Sequence, residues 1–183
     1  VFAASFCLQT HISYGILIAG FGAAALAAFA VRAVRLRGDR PALRRLLGWS
    51  GLSLAVAVVL WLPPLIDQAT GDPGNMSIVA GHFMEPDDEP IGVERGAELF
   101  AVHLNPWRLL AGQPGIDGSV VPAALYGLIW VGAALATWRL VPRGAAHRST
   151  LLRLHAVIAL ALAFGLVSST RILGFVWFYL TLW

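Results

Sequence analysis

Polar side chains stand at the ends of three apolar segments of the sequence, and their types could bind a phosphorylated substrate. Gln9 and His11 precede the first long apolar run. Asp67 and Gln68 follow the second run, and Arg171 follows a later one. An arginine guanidinium holds phosphate oxygens through two parallel hydrogen bonds, and amides and imidazoles can add further donors. We therefore interpret these five residues as candidate substrate-binding residues, while the catalytic residue stays unknown.

A second group of polar residues falls within a short stretch and consists of His82, Glu85, Asp87, Asp88 and Glu89. Hard cations prefer clustered carboxylates. Two prolines in and after this stretch break any regular ligand spacing, so a solvated acidic turn is the favoured interpretation. No cofactor is indicated, and a divalent metal is left open. The sequence contains no glycine-rich phosphate loop, paired-cysteine metal motif or nucleophile elbow.

The composition is that of a membrane protein. Of 183 residues, 58% are hydrophobic and 13% are charged, with a mean hydropathy of +0.73, a level that is typical of membrane-spanning chains. The basic residues are all arginines and lie beside apolar segments rather than on a free basic face, which argues against nucleic acid as a partner. The single cysteine, Cys7, excludes a disulfide within the chain.

The apolar segments predict an all-α fold, a polytopic transmembrane helix bundle. Four spans are expected at about 12–34, 46–62, 121–141 and 154–170, and a fifth is expected to begin near residue 172 and to be cut short. The whole chain is interpreted as one transmembrane region. We also expect the sequence to be a piece of a longer protein.

The distribution of charge predicts the orientation in the plasma membrane. Six arginines and one acid lie at 32–45, which covers the end of the first span and the connection to the second, whereas the connection at 67–119 contains nine of the ten acids. Because positively charged short loops stay cytoplasmic, we expect the 67–119 connection to lie outside. It is too long for a simple connector, and short helices on the membrane surface are predicted at 77–84 and 91–104.

Two prolines, Pro63 and Pro64, predict the end of the second span. Proline lacks the N–H group that a helix interior needs and clashes with the preceding turn. We therefore expect the backbone to leave the helix here, where it would hold Asp67 and Gln68 at the rim of a cavity.

On the 91–104 helix, spacing assigns the apolar face to Val93 and Phe100, together with Ala97 and Leu104.

Three stretches of the sequence resemble a known superfamily: SFCLQTHISYG at 5–15, WLPPLIDQATGDPGN at 61–75 and VSSTRILGFVWFYLTLW at 167–183. They are similar to actinobacterial multispanning proteins related to the GT-C glycosyltransferases, which include protein O-mannosyltransferases and cell-wall arabinofuranosyltransferases. The resemblance implies transfer of a sugar from a polyprenyl-phosphate donor at the outer face of the plasma membrane. It also implies a catalytic carboxylate in the first outer loop, yet no acid precedes Asp39.

Two other functions remain open on sequence alone. A portion of a transporter or flippase would place polar groups near the middle of the bilayer and use broken helices there. The polar residues of this sequence instead gather at the ends of the spans, which favours chemistry at the membrane surface. A non-catalytic membrane scaffold is the third possibility. Membrane lipids are the partners that every interpretation shares.

Overall fold

A computed structural model of the chain describes residues 1–10, 14–110 and 117–176. Its contacts divide the chain into two compact units, Val1–Glu89 and Pro90–Trp183. The described part of the first unit contains α1 (Phe2–Thr10), α2 (Gly15–Arg35), α3 (Arg40–Thr70) and α4 (Asn75–Met84). That of the second contains α5 (Gly92–His103), α6 (Pro106–Leu110), α7 (Val121–Leu140) and α8 (Arg148–Thr170).

The predicted all-α fold is confirmed. Four helices, α2, α3, α7 and α8, are long and apolar enough to cross a membrane, and at most 6% of their most apolar windows is buried within the protein. Side chains such as Leu26, Leu54 and Leu128 are each about two-thirds exposed or more. Helices that expose this much apolar surface are stable only against another apolar medium, so the chain is a membrane protein.

The predicted break at Pro63 and Pro64 is wrong, because α3 continues through both prolines to Thr70. A proline at position 64 leaves the carbonyl of Leu60 without its usual donor four residues on. The side-chain amide of Gln9 takes that place, with Nε2 donating to the Leu60 oxygen at 2.9 Å. Helix α1 thus supplies a side-chain donor for one of the two carbonyl groups that the prolines leave without a backbone hydrogen bond.

The core of the second unit forms where α5 packs on the end of α8. Leu99 and Val102 are 0% and 1% exposed, and Ser169 on α8 is also completely buried. The predicted apolar face of α5 takes only part in this packing, since Phe100 is half-buried and Val93 is 76% exposed. The face that packs on α8 includes Gly96, a residue that a hydrophobicity pattern does not score as a packing position.

Backbone contacts join the residues that precede α5 to the residues that follow α8. Pro90 and Leu173 form an isolated antiparallel bridge, and the Ile91 N–H donates to the Ile172 carbonyl at 2.9 Å. Residues 171–176 are therefore a turn and a bridge rather than the start of a helix. Most of the predicted fifth span, residues 177–183, lies outside the described residues.

Candidate functional site

Gln9 lies on α1 and contacts α3 rather than an open cavity. Its amide nitrogen donates to the Leu60 carbonyl, and one turn earlier on α1 the buried Ser5 hydroxyl accepts from Trp61 Nε1 at 3.2 Å. These two bonds fasten α1 to the proline-containing part of α3. The structure thereby gives Gln9 a structural role, and its part in substrate binding stays a prediction. His11 lies outside the described residues.

Asp67 and Gln68 hold the first turn of α4. The Asp67 carboxylate accepts from the Asn75 N–H at 2.9 Å, and the Gln68 side chain accepts from the Ser77 N–H at 2.9 Å. Gln68 also donates to the Ser77 hydroxyl at 2.7 Å. The first N–H groups of a helix have no partner within it. Two neighbouring side chains of α3 thus supply the cap that α4 lacks at its own N-cap residue, Gly74.

The turn between α3 and α4 requires a glycine at position 74. A Cβ atom there would lie 2.6 Å from the Gln68 Cα, and 2.8 Å from its side-chain oxygen. Gly74 is buried, and the turn packs directly against Gln68, whose side-chain amide caps α4. Asp67 and Gln68 are therefore placed by a tight backbone fold. Whether they also bind a substrate stays a prediction.

Arg171 terminates α8 and is exposed. Its backbone N–H donates to the Ser168 carbonyl at 3.1 Å. Within the described part of the chain, its guanidinium has neither a hydrogen-bond partner nor an ion-pair partner. The hydroxyl of Ser169 donates to the Gly165 carbonyl at 3.0 Å, and that of Thr170 to the Val167 carbonyl at 2.8 Å. These two hydroxyls are used within α8, which leaves the guanidinium as the free donor.

The structure brings together only some of the five candidate residues. Gln9, Asp67 and Gln68 belong to the first unit, and Arg171 belongs to the second. Asp67 and Gln68 act on the same helix terminus. The acidic stretch at 85–89 is exposed, and no group of three or more His, Cys, Asp or Glu side chains that could hold a metal ion occurs among the described residues.

A charged cluster of the second unit was not predicted from the sequence. Arg95 on α5 donates to Asp117 at 2.8 Å and to Glu98 at 2.6 Å. These hydrogen bonds, the one to Asp117 first, raise the pKa of Arg95 above its ordinary value. Arg108 donates to the backbone carbonyl of Asp117. The two arginines thus hold Asp117, which lies shortly before α7. In the sequence these charged residues are far apart, so their joint structural role was not apparent.

A polar cluster between α7 and α8 was also missed. The Thr137 hydroxyl and His155 Nε2 lie 3.1 Å apart, and the ring centres of His155 and Trp130 are 6.5 Å apart. His155 Nδ1 and Trp130 Nε1 are buried and have no hydrogen-bond partner among the described residues. A histidine within the predicted 154–170 span was the available signal, because titratable side chains are rare inside membrane-spanning helices.

Over its described residues, the chain is thus an all-helical membrane protein with four candidate spans and small connecting helices. No protein-family model, no curated protein and no solved structure matches this chain.

Proposed function

We propose that the chain is part of an integral membrane glycosyltransferase of the GT-C type, a multi-pass protein of the plasma membrane. It transfers a sugar from a polyprenyl-phosphate donor at the outer face, where the long connection between α3 and α7 lies. The observation that carries the proposal is the free guanidinium of Arg171 at the end of α8, on a stretch that resembles this superfamily.

Arg171 suits the binding of a lipid-linked phosphate for two reasons. A guanidinium offers a planar fork that matches two phosphate oxygens, which a lysine ammonium cannot do. The residue also follows a helix end that is held by the close packing of α5 on Ser169 and Thr170. A donor on a fixed helix end loses little conformational freedom when it binds. The phosphate would thus sit where its lipid chain can remain in the bilayer.

We expect Arg171→Lys to weaken the binding of a polyprenyl phosphate almost as much as Arg171→Ala, by about tenfold, because both lose the bidentate contact. Binding would be measured on the purified chain in phosphatidylcholine nanodiscs. Arg143→Ala is the matched control, since Arg143 is an exposed arginine in the connection between α7 and α8. Full binding by Arg171→Lys would refute the bidentate role, and full binding by Arg171→Ala would refute the proposed site.

The orientation of the chain can be tested with single cysteines in a variant without Cys7. Gly38→Cys adds a side chain where no atom lies within 4 Å of the new Cβ, and Asp88→Cys lies in the exposed acidic stretch. A membrane-impermeant maleimide should label only Asp88→Cys in intact cells, because the arginine-rich connection is expected inside. Labelling of Gly38→Cys in sealed cells would contradict this orientation.

A portion of a transporter is the second candidate function, and His155 favours it. At 1.5 Å per residue, His155 lies about 10 Å along α8 from Arg148, inside the candidate span. An ionisable group at such a position often belongs to a proton or substrate pathway. In a transporter, His155→Gln should change proton-coupled flux in proteoliposomes. In the glycosyltransferase that we propose, the same variant should leave polyprenyl-phosphate binding unchanged.

A further inference from the structure

The corner between α2 and α3 contains a cavity of about 530 Å³ with two arginines in its wall. Arg32 comes from the last turn of α2, and Arg45 comes from the second turn of α3. The apolar part of the lining includes Leu36, Leu46 and Trp49. The cavity is therefore amphiphilic, with cationic groups and hydrocarbon in one wall.

The shape of this corner follows from how the two helices end and begin. The Leu36 N–H donates to the Arg32 carbonyl, which closes α2, and the Asp39 N–H donates to the Leu36 carbonyl at 2.9 Å. The Asp39 carboxylate then caps α3 by accepting from the Ala42 N–H at 3.0 Å. The hydrogen bonds of this short turn fix the end of α2 and the start of α3. They therefore position the residues that line the cavity.

The positive charge of the cavity is only partly neutralised within the described residues. Asp39 is the one acid of the lining, and its carboxylate, which also caps α3, offsets one of the two guanidinium charges. Neither Arg32 nor Arg45 has an ion-pair partner in the described ranges. Two unpaired guanidinium groups favour an anion with several oxygen atoms, and phosphate is the commonest of these.

The position of the cavity indicates that the anion has an apolar chain. Both arginines lie near the ends of candidate spans that meet the cavity, where side chains reach the membrane interface. Trp49 is 65% exposed, and tryptophan favours this depth because its ring is apolar and its N–H is polar. An inorganic phosphate would leave the apolar wall without a partner, whereas the upper part of an acyl chain would cover it.

We propose that this cavity binds an anionic phospholipid of the leaflet on the side of the arginine-rich connection. Arg32 and Arg45 contact the phosphate of the headgroup, and the acyl chain lies along Leu46 and Trp49. Basic recesses between membrane helices recognise lipid headgroups through the same combination of charge and hydrocarbon. The proposal is independent of the glycosyltransferase proposal, since it concerns other residues.

The test compares two double variants of the purified chain in a non-ionic detergent. Arg32→Gln/Arg45→Gln removes both charges from the cavity. Arg37→Gln/Arg44→Gln removes two charges from the same connection at positions that do not line it. Phosphatidylglycerol binding would be measured by native mass spectrometry, with phosphatidylcholine as the neutral lipid. Circular dichroism would confirm equal helix content, and the single variants Arg32→Gln and Arg45→Gln would replace the first variant if it failed to fold.

We expect the cavity variant to lose about tenfold in phosphatidylglycerol affinity and the control variant to remain close to the unchanged chain. Millimolar inorganic phosphate should not displace the lipid. Equal losses in both double variants would overturn the proposal in favour of unspecific attraction by surface charge. Displacement by inorganic phosphate would overturn the lipid assignment, and unchanged binding in the cavity variant would overturn the site.

Discussion

Replacing Gly96 with alanine should lower the free energy of unfolding by about 1–3 kcal/mol, although the change adds only one methyl group. The new Cβ would lie 2.6 Å from the Thr170 Cα, 2.7 Å from its backbone nitrogen and 3.0 Å from the Ser169 carbonyl carbon. These neighbours are backbone atoms of α8, so no side chain can rotate away. Helix α5 must instead move off α8, which opens the packing around Leu99 and Val102.

The measurement is denaturant or thermal unfolding of the purified chain in a mild detergent. Hydrogen exchange should show faster exchange in α5 of the Gly96→Ala variant. The matched control is Gly132→Ala on α7, where the added Cβ lies within 4 Å of nothing but the adjoining backbone of its own helix. Alanine is the better helix former by up to about 1 kcal/mol, so the control should be neutral or stabilising. Equal behaviour of both variants would show that α5 does not rest on the end of α8.

Replacing Gln9 with leucine should destabilise the first unit by about 1–3 kcal/mol, because it leaves the Leu60 carbonyl without a donor. Leu60 belongs to a helix that is apolar enough to cross a membrane, where an unpaired carbonyl is costly. The effect should depend on Pro64, since the missing N–H of this proline is the reason that the carbonyl is free.

A double-mutant cycle separates this explanation from a general loss of packing. In a Pro64→Ala background the restored N–H can bond to the Leu60 carbonyl, so Gln9→Leu should cost much less there. Pro63→Ala is the control, because its N–H would point to the carbonyl of Val59 instead. The cost of Gln9→Leu should then persist. If the cost is the same in all three backgrounds, the hydrogen bond between Gln9 and Leu60 does not stabilise the fold.

The long apolar runs were sufficient to predict the fold class, because a helix that crosses a membrane needs about 20 apolar residues. They were less informative about helix ends. The second span was predicted at 46–62, and α3 runs from Arg40 to Thr70. The hydropathy signal marks the apolar part of a helix. The polar residues at its two ends, Asp39 as a cap and Asp67 and Gln68 through their contacts with α4, extend α3 beyond that part.

The roles of the polar residues were harder to predict, because each depends on a partner that is distant in sequence. Gln9 serves a carbonyl that lies 51 positions away. Asp67 and Gln68 were expected beyond the end of the second span, but they lie within α3 and bind the start of α4. The face of α5 was assigned by counting large apolar side chains, and the close approach of two backbones at Gly96 cannot be seen in such a count.

The length of α3 has a mechanical consequence for α4. At 1.5 Å per residue, α3 is about 46 Å long, whereas the hydrocarbon core is about 30 Å thick. Helix α4 is bonded to the last two turns of α3 rather than suspended from a flexible linker. A change of about 10° in the tilt of α3 would therefore displace the start of α4 sideways by about 8 Å relative to the start of α3. Because tilt responds to bilayer thickness, the position of α4 is coupled to the thickness of the surrounding lipid.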